Sequence, residues 1–98
     1  MFNLTEETKS NKFLVIDLFT EWCNPCKSIS AMIDDLKAKY SDVKFLKVDA
    51  EENSELSNSL DISGVPTLLF YKDGALIDRA NGFIPRQKFV EKIEALIH

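Results

Sequence analysis

Scarcity is the first thing this 98-residue chain shows: two cysteines, one histidine, one tryptophan, three glycines and three prolines. Two cysteines cannot build the disulfide framework of a small secreted scaffold. One histidine, the terminal His98, leaves the chain poor in the ligands with which zinc fills its four positions. No apolar run reaches the roughly 20 residues of a membrane span. The first twelve residues hold Asn3, Glu6, Glu7, Lys9 and Lys12 and contain no continuous apolar stretch of the kind a signal peptide needs. Positive charge is short as well. Twelve basic residues against sixteen acidic ones leave a net charge of −4, and the basic residues are scattered rather than gathered into a stripe. These absences argue against nucleic-acid and membrane partners and make a reducing cytoplasm the expected address. They also make the cysteine pair a catalytic or metal-binding element rather than a structural crosslink.

What is present suffices for one packed domain spanning residues 1–98. Hydrophobic residues make up 45% of the chain, and a chain of this size buries something over about 60% of its unfolded surface. No repeat, low-complexity tract or linker divides it. The run Phe13-Leu14-Val15-Ile16-Asp17-Leu18-Phe19, apolar apart from one carboxylate, predicts a strand buried on both faces. Ile29, Met32, Ile33, Leu36 and Tyr40 recur at helical spacing, with Asp34, Asp35 and Lys37 mostly on the opposite face. Residues 43–48 read as a second strand, joined to the first through that helix and therefore parallel to it. A weaker helix is predicted around Leu56 and Leu60, diluted by Ser57, Asn58 and Ser59. Residues 67–71 and 75–80 flank Lys72-Asp73-Gly74 as an antiparallel hairpin. A final helix starts near Pro85 and places Phe89, Val90, Ile93, Leu96 and Ile97 on one side. The sum is an α/β domain, a mixed sheet covered by helices on both faces.

The chemistry centres on Trp22-Cys23-Asn24-Pro25-Cys26-Lys27. Two intervening residues allow both sulfurs to sit at the first turn of a helix, where unpaired amides and the macrodipole favour a thiolate. Cys23 lies before the helix, where its sulfur can accept amide hydrogen bonds. Cys26 lies one turn in and more buried, so Cys23 is the expected nucleophile and Cys26 the resolving thiol. Half a zinc site or an inert pair are the competing readings. Asp17 is a carboxyl inside an apolar strand, so desolvation should raise its affinity for a proton and suit it to move protons for Cys26. A structural ion pair with Lys47 is the other reading, and the two are compatible.

The set of motifs resembles the thioredoxin family from Phe13 to the C-terminus. Trp22, Cys23, Pro25, Cys26 and Lys27 match its active-site motif, Asp17 its buried acid, Lys47 its lysine before a Val-Asp pair, Val65-Pro66-Thr67 its substrate-side loop and Gly82 its groove glycine. The resemblance implies a thioredoxin fold with a central sheet of four to five strands. It places Asp17 under the second cysteine, acting through water, and makes Pro66 a cis proline, although sequence alone favours trans. It leaves Val65 backbone groups free to pair with an extended substrate. Trp22, either core filler or docking surface, would line a groove with Ile62, Val65, Pro66, Gly82 and Phe83, and Gly82 is alternatively needed only for its backbone conformation.

Departures from the family pattern carry expectations too. Asn24 stands where glycine is usual. With Pro25 it should adjust the reduction potential, a preference of about 1.4 kcal/mol for one redox state being worth about 30 mV. Ala31 replaces a kinking proline and predicts a straighter helix. Only twelve residues precede the first strand, which abbreviates the opening strand and helix and leaves Phe2 and Leu4 as the apolar candidates there. Glu51, Glu52 and Glu55 read as a solvated face, and His98 as a frayed terminus.

The resemblance implies a protein-disulfide reductant. It would be a monomer without a cofactor of its own, recharged by a flavin-dependent thioredoxin reductase drawing on NADPH and acting on disulfide-containing target proteins. Two alternatives stand beside it: a redox-independent binding module in a larger assembly, and a disulfide oxidase or isomerase. The latter usually carries a histidine between the cysteines, where this chain has Asn24-Pro25.

Overall fold

In a computed structural model that describes residues 2–98, the first element is a helix, α1 (Leu4–Ser10). The Asn3 side chain caps it by accepting the Glu6 N–H at 3.1 Å, Glu6 and Glu7 lie in the first turn and Lys9 in the last. That arrangement supports a short helix at both ends. The abbreviated opening segment is therefore helical, and Phe2 and Leu4 form no strand. They pack instead against the apolar face of the sheet beside Leu56 and Leu60.

The remaining elements are β1 (Phe13–Phe19), α2 (Asn24–Leu36), β2 (Val43–Asp49), α3 (Ser54–Ser59), β3 (Thr67–Lys72), β4 (Ala75–Asn81) and α4 (Arg86–Ile97). The four strands form one sheet in the order β2-β1-β3-β4. β1 runs parallel to β2 and antiparallel to β3, and β3 and β4 form the hairpin. Asp73 and Gly74 both take positive φ, 50° and 86°, as a tight two-residue hairpin turn requires. Opposite Phe70 and Tyr71, Ile77 is the extra residue of a bulge on the edge strand β4.

Strand β1, central and paired on both edges, alternates its side chains between two cores. Val15 faces Ile29, Ile33 and Leu36 of α2 and Phe89, Ile93 and Leu96 of α4. Leu14, Ile16 and Leu18 face the opposite way, toward Leu4, Leu56 and Leu60. Phe70 on β3 meets Phe89 edge-on, ring centroids 6.1 Å apart. The weak helix α3 thus exists because its leucines close the second core, despite three polar residues that favour local side-chain bonds. α2 runs unbroken through Ala31, and Pro85 caps α4 with φ −63°. Asp17, two residues after Val15, falls on the face covered by α2 and α4.

Candidate active site

Strand β1 ends at Phe19, and a turn closed by the Cys23 N–H donating to Thr20 O (3.3 Å) leads into α2. Cys23 is the N-cap of that helix: its Sγ accepts the Cys26 N–H at 3.1 Å. Asn24 and Pro25 open the helix, and proline's missing donor costs nothing in a first turn whose amides have no helical partner. The two cysteines are joined as a disulfide with Cα atoms 5.2 Å apart. Cys23 is half-buried, whereas Cys26 is buried. Beside Cys26 lies a pocket of about 210 Å³ whose wall also includes Thr20, Glu21, Lys27, Ser30 and Lys47. The structure thus brings Cys26, Lys27 and Lys47 to one cavity.

Asp17 is fully buried, and among the described residues neither of its carboxyl oxygens has a hydrogen-bond partner. Burial pushes its pKa up to about 7, against a smaller opposing pull from the Lys47 charge. A carboxyl that exchanges a proton near neutrality is poised for general acid-base chemistry. The ion pair between Asp17 and Lys47 is not formed. Although the two residues are register partners on β1 and β2, Lys47 Nζ lies 2.7 Å from Asp34 Oδ1 on α2. The physical reason is solvation: Asp34 is an exposed carboxylate, and pairing there spares the ammonium the desolvation that Asp17 would impose. The Lys47 hydrogen bond in turn holds the Asp34 pKa below the usual carboxylate value.

In the loop before β3, the Val65-Pro66 bond is cis. The Pro66 carbonyl accepts the Gly82 N–H at 2.8 Å, and Gly82 sits at φ +83°, the left-handed region that favours glycine. This bond ties the loop before β3 to the end of β4. Val65 is half-buried and lies outside the strand pairing, which begins at Thr67. Trp22 is 85% exposed and Phe83 56% exposed, so neither is core filler. Ile62 packs toward the second core with Leu56 and Leu60. Trp22 shares a cavity of about 140 Å³ with Glu21, Asp49, Glu51 and Glu52. Glu51 and Glu52, two of the three acidic side chains read as a solvated face, therefore flank the tryptophan that precedes Cys23. Asp49 orders that turn by accepting the Glu51 N–H at 2.8 Å.

Sequence reasoning passed over Asp34, Ser30 and Thr20. Asp34 carried a signal only as one charge on the outer face of an amphipathic helix, and nothing in that pattern marks it as the partner of Lys47.

Among the described residues no three His, Cys, Asp or Glu side chains gather as a metal-holding group, and no helix is long and apolar enough to cross a membrane. Comparison with known proteins agrees with the geometry. The family model described as Thioredoxin matches residues 3–95. Thioredoxin of Mycoplasmoides gallisepticum is 32% identical over 91 residues, 93% of this chain and 91% of that protein. Thioredoxin-2 of Saccharomyces cerevisiae is 41% identical over 75 residues, covering 76% of this chain and 72% of that one. The crystal structure of oxidised mitochondrial thioredoxin 3 from Saccharomyces cerevisiae superposes with a TM-score of 0.88 at 32% identity, covering 94% of this chain and 86% of that chain.

Proposed function

This chain belongs to the thioredoxin family and is accordingly a thiol-disulfide oxidoreductase acting on disulfide-containing targets; from that premise we propose that Cys23 is its nucleophile and Cys26 its resolving thiol. The observation that carries this assignment is the cap: Cys23 Sγ receives the Cys26 amide at 3.1 Å and is the more accessible sulfur. In the reduced protein the same amide and the helix dipole stabilise a Cys23 thiolate. The thiolate attacks one sulfur of a target disulfide, forms a mixed disulfide and expels the other target sulfur as a thiolate. Cys26 then gives up its proton and attacks Cys23 Sγ. The Cys23-Cys26 bond forms, the second target thiolate leaves, and two electrons have passed to the target.

Asp17 is the proton carrier for Cys26 in this reading, supported by its burial and its proton affinity near neutrality. Lys47 is the adjoining cation, Lys27 a pocket charge, and Asn24 and Pro25 set the stiffness of the redox turn. The target docks as an extended segment along Val65 and Pro66, with Trp22, Ile62, Gly82 and Phe83 as the surrounding apolar surface. Residues 1–98 work as one monomeric domain in the cytoplasm, and a flavin-dependent thioredoxin reductase restores the dithiol at the expense of NADPH. Among the alternatives, a binding module would keep its partner after both cysteines become serine.

Insulin reduction, measured first with a chemical reductant and then with NADPH and a thioredoxin reductase, tests the reading. Acceleration with both supports it. Activity with the chemical reductant alone removes the reductase, and activity with neither removes the carrier role.

A further inference from the structure

Lys47 has a choice of two carboxyl groups and bonds only one. Asp17 and Lys47 are opposite each other in the parallel pair of β1 and β2, on the face that also carries Val15 and Phe45 beneath α2 and α4. Facing positions on paired strands are close enough for a long side chain to bridge. A buried carboxyl without a partner is costly, yet among the described residues neither Asp17 oxygen has a protein hydrogen-bond partner. The ammonium is held elsewhere: Lys47 Nζ is 2.7 Å from Asp34 Oδ1, and Lys37 Nζ lies 3.5 Å from the same oxygen. Asp34 sits on α2, eight residues beyond Cys26, so the helix that carries the dithiol also carries the group that occupies Lys47.

We propose that Asp34 is a positioning residue for the exchange reaction: it holds the Lys47 ammonium against α2, keeps that cation off Asp17, and so leaves the buried carboxyl free to take and return the Cys26 proton. The proposal rests on the reading of Asp17 as proton carrier.

The surroundings of Asp17 contain little else that could act on its charge. β2 presents Lys47, and β3 places Leu68 opposite Asp17. α2 carries Asp34, which reaches this region through Lys47, and Cys26, which shares a pocket with Lys47. α4 buries Phe89, Ile93 and Leu96, all apolar. Glu21 and Lys27 reach the pocket shared by Cys26 and Lys47. In the oxidised protein Cys26 does not titrate, and among the described residues Lys47 is the charged group whose field reaches Asp17.

The experiment follows the Asp17 carboxyl carbon by NMR while the oxidised protein is titrated, in the wild type and in Asp34→Asn, Asp34→Glu, Lys47→Gln and the Asp34→Asn/Lys47→Gln double variant. Asp34 and Lys47 side chains are 54% and 34% exposed, so these changes spare the core. The wild-type midpoint should lie near 7. Asp34→Asn frees Lys47 to turn to Asp17 and should lower the midpoint by about one pH unit or more. Asp34→Glu should restore it, and Asp34→Asn should have no effect once Lys47 is Gln. The pH profile of insulin reduction by the reduced protein should move with the midpoint in the Asp34→Asn variant.

An unmoved midpoint overturns the proposal at Asp34. A shift of equal size with and without Lys47 overturns it too, because Asp34 would then act by its own field. A midpoint that moves through Lys47 while the insulin profile stays in place overturns it at Asp17, whose proton would be outside the reaction.

Discussion

The backbone N–H of Cys26 donates to Cys23 Sγ at 3.1 Å, so one cysteine caps the helix that contains the other. In the proposed reaction, capping and reactivity are the same contact. A sulfur that accepts the first amides of a helix is stabilised as an anion, and the helix that supplies them holds the second sulfur one turn away.

Changing Cys26 to serine should leave Cys23 able to attack and unable to be released. Turnover of insulin should fall to the uncatalysed background, and mass spectrometry of the reaction mixture should show the chain covalently joined to its target. Cys23→Ser should give neither turnover nor adduct. An adduct with Cys23→Ser but not with Cys26→Ser would reverse the two roles.

Asp17 makes stability depend on pH in a defined direction. Its pKa is raised from 3.8 to about 7 in the folded protein, so between these values the native state holds a proton that the unfolded chain has released. The Asp17 contribution to stability should therefore be fully present below that window, decline as pH rises through it and be gone above it. The total is at most on the order of 4 kcal/mol. Asp17→Asn should flatten the dependence, be more stable than the wild type above neutrality, and reduce protein disulfides more slowly. Urea unfolding of the oxidised proteins at intervals between about pH 5 and pH 8 checks the first two, since this is the range in which a raised carboxyl titrates. An unchanged reduction rate would remove Asp17 from the mechanism.

Trp22 offers a separation of binding from folding. At 85% exposure its truncation to alanine removes little native packing, and the unfolding free energy should stay within about 0.5 kcal/mol of the wild type. KM for a protein disulfide should rise several-fold while the reaction of Cys23 with a small aromatic disulfide is retained. Equal loss with both substrates would show that Trp22 supports the thiolate rather than the partner.

Phe89 offers the reverse separation. It is fully buried and meets Phe70 edge-on at 6.1 Å, so Phe89→Ala should cost about 3–5 kcal/mol. Chemical denaturation gives that number directly. Below the unfolding transition, the alkylation rate of Cys23 in the reduced protein should match the wild type, because among the described residues none from α4 lines the pocket beside Cys26.

The residues themselves announced β1 and the main helices. An apolar run such as residues 13–19 has few alternatives to a buried strand, and the spacing of Ile29, Ile33 and Leu36 has few alternatives to a helix against it. The order of these elements prescribed a parallel β1-β2 pair, and Cys23 could be placed before α2 and Cys26 within it from position alone. α1 was not legible: seven residues with one leucine carry too little periodicity, and its existence depends on the Asn3 cap and on Phe2 and Leu4 docking against a sheet built far downstream. The cis Val65-Pro66 bond came from family likeness, since local preference points to trans.

What sequence by itself determined, then, was the chemistry available and the scaffold that carries it, because hydrophobic period and the spacing of two thiols are local properties of a chain. Tertiary structure decided which way the long and the ambiguous side chains turn. Lys47 has an arm that can serve either of two carboxylates, and it went to the solvated Asp34 rather than to Asp17 across the strand pair. Trp22 could have filled a core or faced a partner, and it faces outward. Those choices rest on the relative cost of desolvating a charge and the space left by packing, and both come into being only when distant segments meet.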